Sequence, residues 1–207
     1  GAKVKVTADH LWAVSNKSSR STNVGKAYDY IDKYGVGYRI KETSDLIKDL
    51  QAYTDDRNKY AIPIGEATFE EQEVPIDPYL LGVLLGDGYL GQGVSISSED
   101  KELLDTISNS LEEGYVLRKL TGKYDYRITK EKTSTNNIYV DRLRELGLYG
   151  KLSGAKFIPE KYKYNSREIR LELLRGIMDT DGYIDTRGRV EIALSNERLV
   201  EDIADLC

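Results

Sequence analysis

Leu80-Leu81-Gly82-Val83-Leu84-Leu85-Gly86-Asp87-Gly88 returns 94 residues later as Leu174-Arg175-Gly176-Ile177-Met178-Asp179-Thr180-Asp181-Gly182. Each copy is an apolar run that ends in Asp-Gly, followed by Tyr and then Leu or Ile. The pattern predicts two helices, with Gly88 and Gly182 in the left-handed position that stops a helix. Gly82 and Gly86, like Gly176 and Thr180, have small-x-x-x-small spacing. That spacing puts both small residues on one helix face, where a second backbone can come close. Gly82, Gly86 and Gly176 are therefore read as the interface between the two helices. Side by side, the helices bring Asp87 and Asp181 to the same end. A carboxylate at a helix C-terminus meets partial negative charge, and two such ends repel. A divalent cation between them removes the conflict, since Mg²⁺ prefers carboxylate and water oxygens. A calcium-loop reading of Asp179-Thr180-Asp181-Gly182 fails, because its first ligand position would fall on Ile177.

One such run alone would read as a core helix with a glycine cap. Two copies with matching sequels read as an internal repeat. Tyr183-Ile184 matches Tyr89-Leu90, and Val190-x-Ile192 matches Val94-x-Ile96. Leu199 and Ile203 match Leu103 and Ile107, after a two-residue insertion at Thr186-Arg187-Gly188. The paired runs resemble the motifs of LAGLIDADG homing endonucleases, of the kind found inside inteins. The resemblance implies two similar αβ subdomains that meet at the motif helices. It also implies that Asp87 and Asp181 bind Mg²⁺ or Mn²⁺ and cut both strands of DNA, with the backbone carbonyls of Gly86 and Thr180 as possible further ligands. Leu85 stands where the family often has Asp, at a position that is not the catalytic one.

Upstream, residues 3–14 read as strand, turn and strand, with Lys3-Val4-Lys5-Val6 alternating as a half-buried strand does. Thr7-x-x-His10 lies between, and His10 is the single histidine of the chain. This resembles intein block B, which implies that Thr7 and His10 contact the peptide bond at an upstream splice junction. A side chain that titrates near neutrality suits that work. Residues 15–25 read as a loop, and 26–40 as a short strand pair or an irregular segment. A helix follows from Thr43 or Ser44 as N-cap to about Tyr53, then a charged turn over 55–59. Tyr60-Ala61-Ile62-Pro63-Ile64 reads as extended. The boundary is placed in the acidic stretch near 65–74: residues 1–70 form part of a splicing domain with its linker, and 71–207 an endonuclease domain. Subdomain one covers about 75–165, and subdomain two starts at about 166.

Asp77 and Pro78 open the first motif helix as N-cap and first helical residue. Strands are expected over 89–97 with a turn at Gly91-Gln92-Gly93, over 115–119 and over 124–129. Helices are expected at about 99–112 and 137–146, the latter ending at Gly147, and another from Ser166 into the second motif. The net charge is −5, yet Gly114 to Arg170 holds fourteen Lys and Arg against six Asp and Glu. A basic segment beside an acidic remainder can still bind phosphates locally. In the family the strands enter the major groove of double-stranded DNA, so Arg118, Lys119, Lys123, Arg127, Arg187 and Arg189 are the candidate DNA-binding residues. Their faces depend on strand register. Lys156, in Ala155-Lys156-Phe157-Ile158-Pro159, resembles the block D lysine that lies near the nuclease centre and aids catalysis, where a cation stabilises developing negative charge.

The fold expected is α+β: a partial all-β splicing (Hint-type) domain, then a pseudo-twofold αβ LAGLIDADG domain, incomplete at both ends. Cys207 is the single cysteine, read as a core residue of the last helix and not a splice nucleophile. No signal peptide or membrane span is apparent, which points to an intracellular, cytoplasmic protein. The partners implied are double-stranded DNA, the host protein's exteins and a complementary intein fragment. Two alternatives stay open: a catalytically inactive scaffold that binds DNA or RNA, and an intein that retains only protein splicing.

Overall fold

The architecture is that of a computed structural model in which residues 4–16, 28–31, 36–52, 60–63, 68–132 and 136–207 are described. Lys3, residues 17–27, Tyr34, Gly35, Tyr53, the charged turn and 64–67 lie outside them. The fold is mixed α/β with antiparallel sheets, in two compact units, Gly1–Ala67 and Thr68–Cys207.

In the first unit, β1 (Leu11–Asn16), β2 (Tyr30–Ile31), β3 (Gly37–Glu42) and β4 (Tyr60–Ala61) form a sheet in the order β2-β3-β1-β4. β1 is antiparallel to β3, with Val14 opposite Arg39, and to β4, with Asn16 opposite Tyr60. Among the described side chains, Val14 and Tyr38 are its buried apolar residues. The strand expected over 3–6 does not form at residues 4–6, where Val4 and Val6 are exposed. Alternation alone does not make a strand without a neighbour to pair with. Ser15 and Asn16, expected in a loop, belong to β1 because β4 gives them partners. Helix α1 (Thr43–Gln51) has Glu42 as its N-cap, and Glu42 makes no side-chain cap hydrogen bond. Neither Thr43 nor Ser44 serves: the Thr43 hydroxyl donates to the His10 carbonyl and accepts from Trp12 Nε1, and the Ser44 hydroxyl donates to Glu42 Oε2.

The second unit is built around α2 (Pro78–Gly86) and α6 (Arg167–Asp181). Asp77 caps α2 by accepting from the Leu80 N–H, and Ser166 caps α6 by accepting from the Ile169 N–H. Around α2 lie β5 (Gly88–Tyr89), β6 (Ser95–Ser97), α3 (Lys101–Ser110), β7 (Tyr115–Lys119), β8 (Asp125–Lys130) and α4 (Ile138–Glu145). A short α5 (Glu160–Lys163), not expected from the sequence, precedes α6, and β9 (Gly182–Ile184), β10 (Val190–Ile192) and α7 (Glu197–Leu206) follow it. The sheet order is β5-β6-β8-β7, and β9 pairs with β10. Helix α4 ends as expected: Gly147 has φ +70°, Leu148 N–H donates to Leu143 O and Gly147 N–H to Arg144 O. This double bond pattern is the one in which glycine relieves a left-handed stop.

The repeat is visible in the register. Gly88 stands opposite Ile96 and Tyr89 opposite Ser95, while Gly182 stands opposite Ile192 and Tyr183 opposite Glu191. Leu103 and Ile107 on α3 and Leu199 and Ile203 on α7 are buried alike. One difference stands out. Leu90 and Val94 are 1% and 0% exposed, but their counterparts Ile184 and Val190 are 66% and 60% exposed. Cys207, expected in the core, is exposed, because α7 turns its last buried residue, Leu206, inward one position earlier.

Candidate catalytic site at the paired helix ends

The two motif helices touch backbone to backbone. A Cβ on Gly82 would stand 2.2 Å from Leu173 O, and one on Gly176 would stand 2.1 Å from Tyr79 O. Only glycine leaves that space at these two positions. Farther along, a Cβ on Gly86 would meet Thr180 Oγ1 at 2.1 Å and Asp181 Oδ2 at 2.8 Å. The Asp181 carboxylate is thus drawn in beside the last turn of α2.

Gly88 and Gly182 do not take the left-handed conformation; Gly182 has φ −85° and ψ 156°. Their requirement for glycine has another cause. After each acid the chain doubles back as a strand across the helix it has just left. A Cβ would meet Leu84 O at 2.4 Å from Gly88, and Met178 O at 2.4 Å from Gly182. The Asp-Gly pair therefore turns helix into strand within one residue and leaves the carboxylate at the corner.

Asp87 and Asp181 are held above the usual carboxylate range. For both, burial against the packed helix ends is the main cause; for Asp87 the charge of Asp181 adds to it, and the Lys156 ammonium opposes it in each. The Asp87 side chain keeps surface open to solvent even so. Lys156 lies beneath them, 1% exposed. Its Nζ donates to the carbonyls of Leu84, Leu85, Gly86 and Gly88 at 2.9, 3.0, 3.0 and 2.7 Å. The ammonium's three N–H groups are shared among four oxygens at the negative end of α2. Burial lowers the Lys156 pKa to about 8, against the opposing charges of Asp181 and Asp87.

Asn196 and Asp202, which the sequence reading missed, clamp the loop that carries Lys156. Asn196 Nδ2 donates to Lys156 O and Ser153 O, both at 2.8 Å, while its Oδ1 caps α7 at the Leu199 N–H. Asp202 accepts from the Ile158 N–H and from Lys163. A signal existed: Asn196 falls where the repeat puts the N-cap Asp100.

The strand register separates the basic residues. Arg118 stands opposite Arg127, and Arg127 opposite Ser95, so these share one face with Tyr89. That is the face away from Ile96, Ile128 and Leu117, which pack into the core. Arg127 Nε donates to Ser95 Oγ, and Arg118 is exposed. Lys119 lies on the other face beside Tyr126, its Nζ donating to Tyr126 Oη and to Lys123 O. Lys123 sits over the Tyr124 ring. Arg189 pairs with Asp185, which also accepts from the Arg187 and Arg189 N–H groups, and Arg187 is exposed.

Gly86 O, a candidate ligand, already accepts from Lys156. Among the described residues no group of three or more His, Cys, Asp or Glu is placed to hold a metal ion. Two carboxylates remain, each with its pKa raised, mainly by burial. Such a pair, completed by water or phosphate oxygens, fits the way Mg²⁺ is commonly held.

In the first unit, Thr7 and His10 are both exposed at one turn, where the His10 N–H donates to Thr7 O. The Thr7 hydroxyl holds the Asp9 carboxyl below its ordinary range. The His10 ring meets Trp12 edge to face at 4.7 Å.

The fold and the helix-end acids define an α/β chain with an internal repeat around a two-carboxylate centre. No family model matches it. A protein described as replicative DNA helicase DnaB, from Mycobacterium intracellulare, is 28% identical over 210 residues, an alignment that takes in all of this chain and 32% of that protein. The chain thus spans about a third of the length of the curated relative it matches. Among the described residues, no helix is long and apolar enough to cross a membrane.

Proposed function

We propose that this chain is an intein-borne homing endonuclease of the LAGLIDADG type, which makes metal-dependent double-strand breaks in DNA beside a protein-splicing element. The observation that supports it most is the meeting of Asp87 and Asp181 at the joined ends of two glycine-faced helices. Mg²⁺ or Mn²⁺, when bound, would supply Lewis-acid stabilisation of phosphate charge and a more acidic water. Asp87 and Asp181 would hold it, each from its own repeat. Arg118 and Arg127 would contact the DNA backbone from the exposed sheet face, and Arg187 from the β9–β10 turn. Lys119 and Lys123, turned to tyrosines, would contribute charge more than contact. The alignment with a helicase supports an element carried within a host protein, since all of one chain matches only a third of the other. Thr7 and His10 would serve splicing, with the exteins as partners.

End-sequencing of a duplex-DNA library treated with the protein in Mg²⁺ tests this. Recurrent cut ends are expected, with Asp87→Asn and Asp181→Asn each lowering the cutting rate roughly a hundredfold or more. Undiminished cutting by either variant would sink the reading. The engagement of Gly86 O by Lys156 favours, as a second reading, a binding module that needs no cation; tight duplex binding without cuts in Mg²⁺ would select it.

A further inference from the structure

We propose that Lys156 is a built-in counter-ion for the paired acids, a positioning residue that lets Asp87 and Asp181 sit together before any cation arrives. The resemblance implies a lysine that lies near the nuclease centre and aids catalysis. The geometry points elsewhere. The side chain is buried, and its donors are spent on four carbonyls of the α2 terminus and the turn after it. A group so engaged cannot also reach a substrate without breaking those bonds. What it does instead is place a positive charge at the carbonyls on either side of Asp87, at the helix turn against which the Asp181 carboxylate also lies.

The loop is fixed for that task. Asn196 grips the Lys156 carbonyl from the cap of α7, and Asp202 grips the Ile158 N–H two residues on. The second repeat therefore aims a first-repeat lysine at the first repeat's own helix end. Two acids at two negative helix termini would otherwise rely on an external cation to coexist. With Lys156 in place the corner is preformed, and a cation adds without refolding it. The counter-ion itself does not depend on the nuclease reading; only its use by a cation does.

Thermal melts in EDTA test this on the 207-residue chain. Lys156→Met is expected to lower the midpoint by about 10 °C, the scale for stranding partly buried charge in a chain of this size. Asp87→Asn is expected to restore at least half of that loss in the Lys156→Met background, while raising the wild type by clearly less. If Lys156 only caps carbonyls, Asp87→Asn will shift both backgrounds equally, and the proposal falls. If Lys156→Met melts at or above the wild type, it falls as well. Should Lys156→Met fail to fold, recovery of folding in the Lys156→Met/Asp87→Asn double variant supports the proposal, and failure of the double variant overturns it. No metal or DNA enters these melts, so loss of the nuclease reading would leave their outcome unchanged.

Discussion

Asp87 and Asp181 carry a pH signature. A carboxyl whose folded pKa lies above its ordinary 3.8 binds its proton more tightly in the folded chain. Stability then falls as pH rises through the window between 3.8 and the folded value, and the penalty persists at neutral pH. Asp181→Asn is therefore expected to raise the melting midpoint at pH 7 in EDTA, with the gain fading as pH drops toward 3.8. A gain that grows on acidification would contradict the burial of the pair. Lys156 has the opposite slope in another range: with its pKa lowered to about 8, the unfolded chain holds more protons between that value and 10.5, so stability rises with pH there. The acids were legible in the sequence because each closes a repeated run. The role of Lys156 was not, since its place under α2 depends on a loop that Asn196 and Asp202 hold from a distant helix.

At the level of elements, the interface between α2 and α6 has little room for variation. An added Cβ at Gly82 meets backbone, Leu173 O at 2.2 Å, and backbone yields only if a helix moves. Gly82→Ala is expected to destabilise by about 3 kcal/mol, the upper part of the usual overpacking range, and Gly176→Ala by a similar amount. Urea unfolding checks both, and a loss under about 1 kcal/mol would mean that the helices can part at little penalty. The small-x-x-x-small spacing announced this contact. It did not announce why Gly88 and Gly182 are glycine. The sequence suggests left-handed caps, but these residues are extended, and the space they need lies against Leu84 and Met178. A glycine chosen for room and one chosen for φ look the same in a sequence. Elsewhere the local signals sufficed: Asp77 and Gly147 cap as expected, and the helix expected from Ser166 begins there.

For the whole molecule, the internal repeat was the most informative feature of the sequence. The register of β9 with β10 reproduces that of β5 with β6 despite the two-residue insertion. Which basic residues share the exposed sheet face could not be read beforehand. Cross-strand pairing decides it, putting Arg118 and Arg127 together and Lys119 on the reverse. The first unit was less legible. Val4 and Val6 alternate with lysine and threonine as strand residues do, yet pairing with β3 and β4 begins only at Leu11. Thr7 and His10 sit at the turn before that pairing starts, which explains their exposure.

The contrast between Leu90 with Val94 and Ile184 with Val190 has a colloidal consequence. The latter two present branched aliphatic surface on a two-stranded sheet, the kind of bare edge on which strands from other molecules can dock. Concentrated solutions of this chain are expected to self-associate there, and sedimentation velocity across a dilution series should show a mass that climbs with loading. Val190→Lys, on surface that is already wet, is expected to flatten that climb without moving the melting curve; a climb that persists would place the sticky surface elsewhere.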